Sequence, residues 1–368
     1  MGAVSTRPPA VSAPLRVSDF DFELPPELVA QEPPPVRGAS RLMHLGRATG
    51  VVAHGAFADL PRLLAPDDLL VLNDTRVFPA RLLGRRLPGG GAVECLLVSR
   101  LDDAAGDLAS ERWLALVSKG PRVKPGTKVV FADGRGELHG EVMERGEYGR
   151  VVRLFTEDGV PVRTAVHRLG HVPLPPYIKR ADVSSDRERY QTVYARHEGS
   201  IAAPTAGLHF TPDLLAAIDR AGIERTAITL HVGYGTFQPV RVDLVADHRM
   251  GREEYEVGPD AAAALTRALA AGRRVVAVGT TTTRTLESLE LGPGGEVTPG
   301  RGATEVFIAP GHHFRVVGGL VTNFHVPRSS LLMLVSAFAG IESTRRAYAD
   351  AVAARYRFYI YGDAMAIL

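Results

Sequence analysis

Cysteine is all but missing from this chain. One thiol, Cys95, stands among 368 residues, which excludes an internal disulfide and a cysteine-based zinc site, leaves an iron–sulfur cluster without its thiolates, and fits a reducing cytosol. Long apolar runs are lacking too. The strongest, Leu331 to Gly340, covers about ten residues and is interrupted by Ser336, short of the ~20 that a membrane-spanning helix needs. The opening stretch MGAVSTRPPAVSAPLRV has no continuous apolar core, so residues 1–16 are expected to be a flexible arm and not a signal peptide. Met1-Gly2 with Thr6 fits a myristoylation pattern, a match short enough to arise by chance.

Neither sign of charge dominates. Lys and Arg total 43 against 41 Asp and Glu, a net +2, which argues neither for nor against a polyanionic partner. Locally the balance tips. Arg76, Arg81, Arg85 and Arg86 fall in one acid-free stretch, and Arg112, Lys119, Arg122, Lys124 and Lys128 in another. Such stretches suit a phosphate backbone, or simply solvated faces on an arginine-rich chain. Catalytic signatures are missing as well: there is no HExxH, no GxSxG, no phosphate-binding P-loop and no kinase set. His312 and His313 are adjacent and so do not share a helical face, and no metal site is expected. Repeats of 20 to 50 residues are absent.

What is present describes a globular chain, 45% apolar and 23% charged, long enough for two domains or for one domain carrying an insertion. Residues 77–158 alternate short β-prone runs with glycine turns (GAVECLLVSRL, RWLALVSKG, GTKVVFADGRGELHGEVM, YGRVVRLFTEDG). That rhythm predicts a small all-β unit, closed into a barrel so that no strand edge is left open. The flanking segments, 17–76 and 159–368, are assigned to one large α/β domain. Within it, Thr211-Pro212-Asp213 reads as N-cap, first-turn proline and first-turn acid of a helix running from Leu214 to Ala221. Helices are expected over Pro259–Ala271, from Gly279-Thr280-Thr281 through Leu289, over Leu331–Ala339 and over Ser343–Arg355. Strands are expected at Val275–Val278 and Phe314–Thr322, with a short aromatic strand ending at Tyr361-Gly362-Asp363. Apolar strands alternating with helices predict a mostly parallel sheet covered on both faces, with the site in the loops that follow the strand ends.

Those loops carry His231, Thr281, Arg284, Asn323, His325 and Asp363. NDTRVFPAR puts Asn73, Asp74, Arg76 and Arg81 after an apolar strand. A hinge turn explains the first two, and paired arginines beside a carboxylate also suit an anion. APTAGLHF sets small residues and Thr205 before His209, allowing close approach to a flat ligand, or simply a satisfied core histidine. HVGYGTF, with His231, Gly233, Thr236 and Phe237, has GxG but lacks the third glycine of a dinucleotide fingerprint. GTTTTRTLES turns a strand into a helix whose free amides favour an anion, with capping by Thr281 as the plain alternative. TNFHVPRSS offers Asn323 and His325, and histidine is a natural proton shuttle near neutral pH.

In order along nearly the whole chain after Val17, the segments FDFELPPELVAQ, LVLNDTRVFPARLLG, GHVPLPPYIKR, GSIAAPTAGLHFT, HVGYGTFQPV, TNFHVPRSSLLMLVSAFAG and RYRFYIYGDAM closely resemble the S-adenosylmethionine:tRNA ribosyltransferase-isomerases of queuosine biosynthesis. The resemblance implies an α/β barrel-like large domain with an inserted small all-β (β-barrel) domain. It implies a cytoplasmic, metal-free enzyme, expected here to be a monomer. S-adenosylmethionine would be the ribosyl donor and 7-aminomethyl-7-deazaguanine (preQ1), at the wobble position of tRNA with a GUN anticodon, the acceptor. Epoxyqueuosine-tRNA, adenine and methionine would be the products. On that chemistry, His209, His231 and His325 are candidate acid/base groups, with Glu254 and Asp363 as carboxylates near the sulfonium or ribose. Thr281 and Arg284 would hold the methionine end, and Asp74, Arg76 and Arg81 would face the anticodon loop. Asn73, Thr205, Gly233, Thr236, Phe237 and Asn323 complete the binding set. Gly251 and Glu198 depart from the family pattern beside these loops. Competing readings are the same donor chemistry on a free deazapurine or other small-molecule acceptor, a non-catalytic RNA-binding relative, and an ordinary methyltransferase. The last would need a glycine loop that the sequence lacks.

Overall fold

A computed structural model describes residues 14–101, 106–118, 123–146, 149–233, 235 and 239–368. Its larger part is a nine-stranded sheet. At its centre lie β3 (Leu69–Asn73), β14 (Val275–Val278) and β16 (Val317–Asn323), flanked by β12 (Glu224–Leu230), all mutually parallel. The remaining strands make the sheet mixed. β17 (Ala364–Ile367) runs antiparallel to β16 and parallel to β1 (Arg41–Leu45), which pairs with β2 (Val52–Ala56). Beyond β12, β13 (Glu253–Val257) and β15 (Gly300–Thr304) add an antiparallel flap. Antiparallel pairs therefore equal the parallel ones, and the mostly parallel sheet expected from the sequence is corrected to a mixed one: β2 returns as a hairpin on β1, β13 and β17 enter antiparallel to the parallel centre, and β15 runs antiparallel to β13.

The pleat sorts each central strand into two cores. Leu69 and Val71 point to the face covered by α5 (Pro259–Ala270), α7 (Ser330–Ala339) and α8 (Ile341–Ala353). Leu70 and Leu72 point to the face covered by α4 (Pro212–Arg220) and the one-turn helix α1 (Leu60–Leu63). Burial on both faces is why these strands are apolar throughout and not alternating. Thr211 caps α4 as its spelling predicts, accepting from Leu214 N–H at 3.1 Å.

Six strands close into an antiparallel barrel: β5 (Arg81–Leu87), β6 (Ala92–Arg100), β7 (Ser110–Val117), β8 (Lys128–Ala132), β9 (Glu137–Arg145) and β10 (Arg150–Phe155). Closure gives every strand two neighbours and removes the edges. Inward Leu82, Cys95, Trp113, Phe131 and Leu154 fill it, and α2 (Val162–Leu169) lays Val162 and Val166 against the same core. A two-stranded parallel ribbon, β4 (Thr75–Val77) with β11 (His197–Ser200), lies between barrel and sheet.

A second expectation moves. The aromatic stretch before Asp363 is irregular, and the last strand begins only at Ala364. Tyr356, Phe358 and Tyr361 are buried as packing residues, so aromatic character there reports burial and not a pleat.

Candidate active site

Parallel register puts the carboxyl ends of β3, β12, β14 and β16 side by side, and β17 approaches the same end from the opposite direction. A cavity of about 390 Å³ opens there, in the range of small-molecule sites. Its wall takes Gly279 to Thr281 from the start of α6 (Thr280–Glu287) and Asn323 to Leu331 from the turn between β16 and α7. Ala202 to Ala206 and the rings of Tyr177, Tyr190 and Tyr359 complete it. Four of the anticipated residues line it together: Thr205, Thr281, Asn323 and His325.

Two helix N-termini meet this cavity. Gly279, at φ +95°, takes a conformation open to glycine as β14 turns into α6. The first intrahelical bond of α6 is Thr283 N–H to Gly279 C=O, so the amides of Thr280 to Thr282 lack helical acceptors. The hydroxyls of Thr282, Thr283 and Thr285 turn back onto carbonyls one turn earlier, at 2.7, 3.1 and 3.2 Å. In α7, Ser329 Oγ accepts from Leu332 N–H at 3.2 Å, which leaves the amides of Ser330 and Leu331 without helical acceptors. Among the described residues lining the cavity there is no carboxylate, and Arg328 is the single charged one. Arg328 is held by Asp21, with Nε 2.8 Å from Oδ2.

His325 is buried in this wall. Its Nε2 lies 2.8 Å from Thr322 Oγ1, its backbone amide donates to the Tyr348 hydroxyl at 3.1 Å, and burial pushes its pKa down to about 3. The imidazole is neutral at pH 7. His209 sits behind the wall. Its Nδ1 is 2.9 Å from Ser40 Oγ and its Nε2 3.0 Å from Asn323 Nδ2, and burial lowers its pKa to about 4 against the opposing pull of Asp363. His231 stands outside as well, with Nδ1 2.8 Å from Thr75 Oγ1 and a pKa lowered by burial. Its ring packs on Gly199, where a Cβ would come within 2.8 Å of it.

Other anticipated residues have different partners. Glu254 is exposed, while its neighbour Glu253 is buried, accepts from Gly233 N–H at 3.1 Å and pairs with Arg284. Strand alternation decides this, since one residue's shift reverses the face. Arg284 also donates to Val306 C=O at 3.0 Å, so it braces the glycine loop and does not reach the cavity. Asp363 accepts from the amides of Arg41 and Arg357 at 2.9 and 2.8 Å and pairs with the Arg41 guanidinium. Asn73 is buried against Leu230 C=O and Thr281 Oγ1, and Asp74 accepts from Thr229 Oγ1 at 2.6 Å. Arg81 makes a two-point ion pair with Glu94 on the barrel, at 2.8 and 3.1 Å. Arg76 projects from β4 into solvent. Thr236 and Phe237 lie outside the described residues. Glu198, one of the departures, pairs with His167 at 2.9 Å.

The sequence reading passed over Glu253 and the three tyrosines. The i, i+2 pattern of EEYEV carried the signal for Glu253, whereas Ser329 caps α7 as a serine ahead of an apolar run predicts. The tyrosines come from segments far apart in sequence, and no local signal joins them.

No helix among the described residues is long and apolar enough to cross a membrane, and no group of metal-ligating side chains occurs among them. Fold and cavity together define an α/β protein with a cavity of small-molecule size at the carboxyl ends of its strands and a separate closed β-barrel. The sequence profile described as "Queuosine biosynthesis protein" matches residues 17–367, and the chain belongs to that family. It is 55% identical over 351 residues to an S-adenosylmethionine:tRNA ribosyltransferase-isomerase of Anaeromyxobacter sp. (strain Fw109-5), covering 95% of this chain and 98% of the relative. The corresponding protein of Symbiobacterium thermophilum is 52% identical over 354 residues, 96% of this chain and 100% of its own length. Among solved structures, S-adenosylmethionine tRNA ribosyltransferase from Thermotoga maritima shares 36% identity at a TM-score of 0.52, covering 95% of this chain and 100% of that one.

Proposed function

We propose that this protein moves the ribosyl group of S-adenosylmethionine, with isomerisation, onto the aminomethyl group of preQ1 at the wobble position of tRNA with a GUN anticodon. Adenine and methionine leave, and epoxyqueuosine-tRNA is formed in the cytoplasm by a monomer. The observation that carries the reading is one cavity where two helix N-termini converge beside a buried, neutral histidine.

The amides at the start of α6, with Thr281, suit the methionine carboxylate, since a helix N-terminus favours an anion. Tyrosine rings in a wall free of carboxylates suit the sulfonium. That sulfonium acidifies the C5′ hydrogens, and His325, already unprotonated at neutral pH, is the base we assign to remove one. The proton it takes up can then pass to the departing adenine, which needs a donor. Asp74 and the solvent-facing Arg76 lie on the strand-to-ribbon turn leading to the barrel, where the anticodon loop would approach with its wobble base unstacked.

The test is incubation with S-adenosylmethionine and either preQ1-bearing tRNA or free preQ1, then digestion and nucleoside mass measurement. A mass gain on the tRNA nucleoside with release of adenine and methionine is expected. A gain on the free base alone would replace tRNA with a small-molecule acceptor, and no gain on either would overturn the transfer.

A further inference from the structure

His209 has the composition of an acid/base group and the wiring of something else. Asn323 Nδ2 lies 3.1 Å from Tyr359 C=O and 3.0 Å from His209 Nε2. A carbonyl only accepts, so the amide nitrogen must face it, and its second hydrogen then goes to His209 Nε2. The His209 proton is therefore on Nδ1 and donates to Ser40 Oγ at 2.9 Å. Both ring nitrogens are spent. Ser40, His209 and Asn323 are 4%, 4% and 2% exposed, so the three side chains satisfy one another away from bulk solvent. Phe57 packs against the imidazole at a tilt of 31° with centroids 4.9 Å apart.

The chain ends on a residue in an unfavourable conformation. Tyr359 has φ +73°, a region that bulky side chains avoid and that persists only when its surroundings over-determine it. Its amide donates to Phe324 C=O at 3.0 Å, and its carbonyl accepts from the Gly362 amide at 3.0 Å and from Asn323 Nδ2 at 3.1 Å, the one side-chain bond of the three. Held in this way, its ring packs against Tyr177 at a tilt of 31° with centroids 3.6 Å apart, and both rings line the cavity.

We propose that His209 is a positioning residue. Through the Asn323 amide it locks Tyr359 in the left-handed conformation that puts the tyrosine pair on the donor's side of the cavity. The inference rests on the cavity being the S-adenosylmethionine site only for its kinetic consequence. The linkage itself concerns this chain alone.

Two measurements separate the two. In protein labelled with ¹⁵N-tyrosine, the Tyr359 cross-peak is identified by its loss in Tyr359→Phe. In His209→Ala that peak is expected to move while peaks of tyrosines away from the chain stay, and an unmoved peak would overturn the linkage whatever the ligand. In steady-state assays, His209→Ala is expected to raise KM for S-adenosylmethionine about tenfold, with kcat within about threefold of wild type and its pH profile unchanged. A fall in kcat of a hundredfold or more with loss of one limb of the profile would overturn the inference and restore an acid/base role. Should His209→Ala fail to fold, His209→Leu, which fills the space but offers Asn323 no acceptor, is read against the same two criteria. Wild-type protein that fails to retain labelled S-adenosylmethionine in equilibrium dialysis would overturn the donor assignment and leave the spectroscopic result standing.

Discussion

The barrel and the strand-end cavity follow opposite rules. In the barrel every strand has two partners, inward positions are apolar except Glu111, which is satisfied by Arg100 and the Trp113 indole, and outward Arg81 and Arg153 meet Glu94 and Glu141 across the ladder. At the cavity, Arg328 and Tyr359 adopt left-handed backbone without being glycine, helix amides lack helical acceptors, and histidines are buried uncharged. Local rules agree with one another in the first region and are broken together in the second. That concentration of exceptions marks where folding stability has been given up for function.

Removing the side chain that breaks the rules most should have the largest effect. His325→Ala is expected to lower kcat about 10²- to 10⁴-fold while the melting temperature stays within a few degrees, measured by nucleoside formation and thermal denaturation. Wild-type turnover in this variant would return the base to His231, the remaining histidine at a strand end.

Next is the brace behind the cavity. Glu253→Ala leaves Arg284 charged and 3% exposed without its carboxylate, at a cost of about 3–5 kcal/mol for a broken buried pair. Urea unfolding checks it. A loss below about 1 kcal/mol would show the pair to be no more than a surface contact.

Acid should expose the same contrast. His209 and His325 have ordinary values of 6.5, lowered to about 4 and about 3 in the folded protein, so the unfolded chain binds protons that the folded one refuses. Stability is whole above pH 6.5 and falls as pH drops from there toward 4, by up to about 1.4 kcal/mol per pH unit for each histidine. Urea midpoints at pH 7.5 and 5.0 should differ accordingly, and equal midpoints would mean that the two histidines protonate without unfolding.

The smallest effects belong to the barrel side. Arg76→Ala should weaken tRNA binding uniformly and reduce the slope of log affinity against log salt by about one. Arg81→Ala, whose ion pair is partly exposed, should cost less than about 1 kcal/mol of stability and leave the slope alone. A reversed order would place the anticodon loop against the barrel instead of the β4–β11 ribbon.

Much of this was legible in the sequence. Apolar runs with glycine turns announced the barrel, and Thr211, Pro212 and Asp213 announced a helix start that the structure repeats. The residues after strand ends pointed to the cavity because a parallel sheet gathers those ends at one place. What failed has a common cause. Choosing Glu254 over Glu253 needed the strand's face, and reading Tyr356 to Tyr361 as a strand mistook burial for pleat. The partners of both His209 nitrogens, more than a hundred residues away in sequence, were likewise invisible to local spelling. Long-range contacts decide each case, and no local spelling records them.

The most direct test of the account is diffraction from crystals grown with S-adenosylmethionine and without tRNA, so that the donor binds and no acceptor removes its ribosyl group. The account predicts donor density in the cavity between the starts of α6 and α7, with the C5′ carbon beside His325. Ordered donor density elsewhere, with this cavity empty, would contradict it.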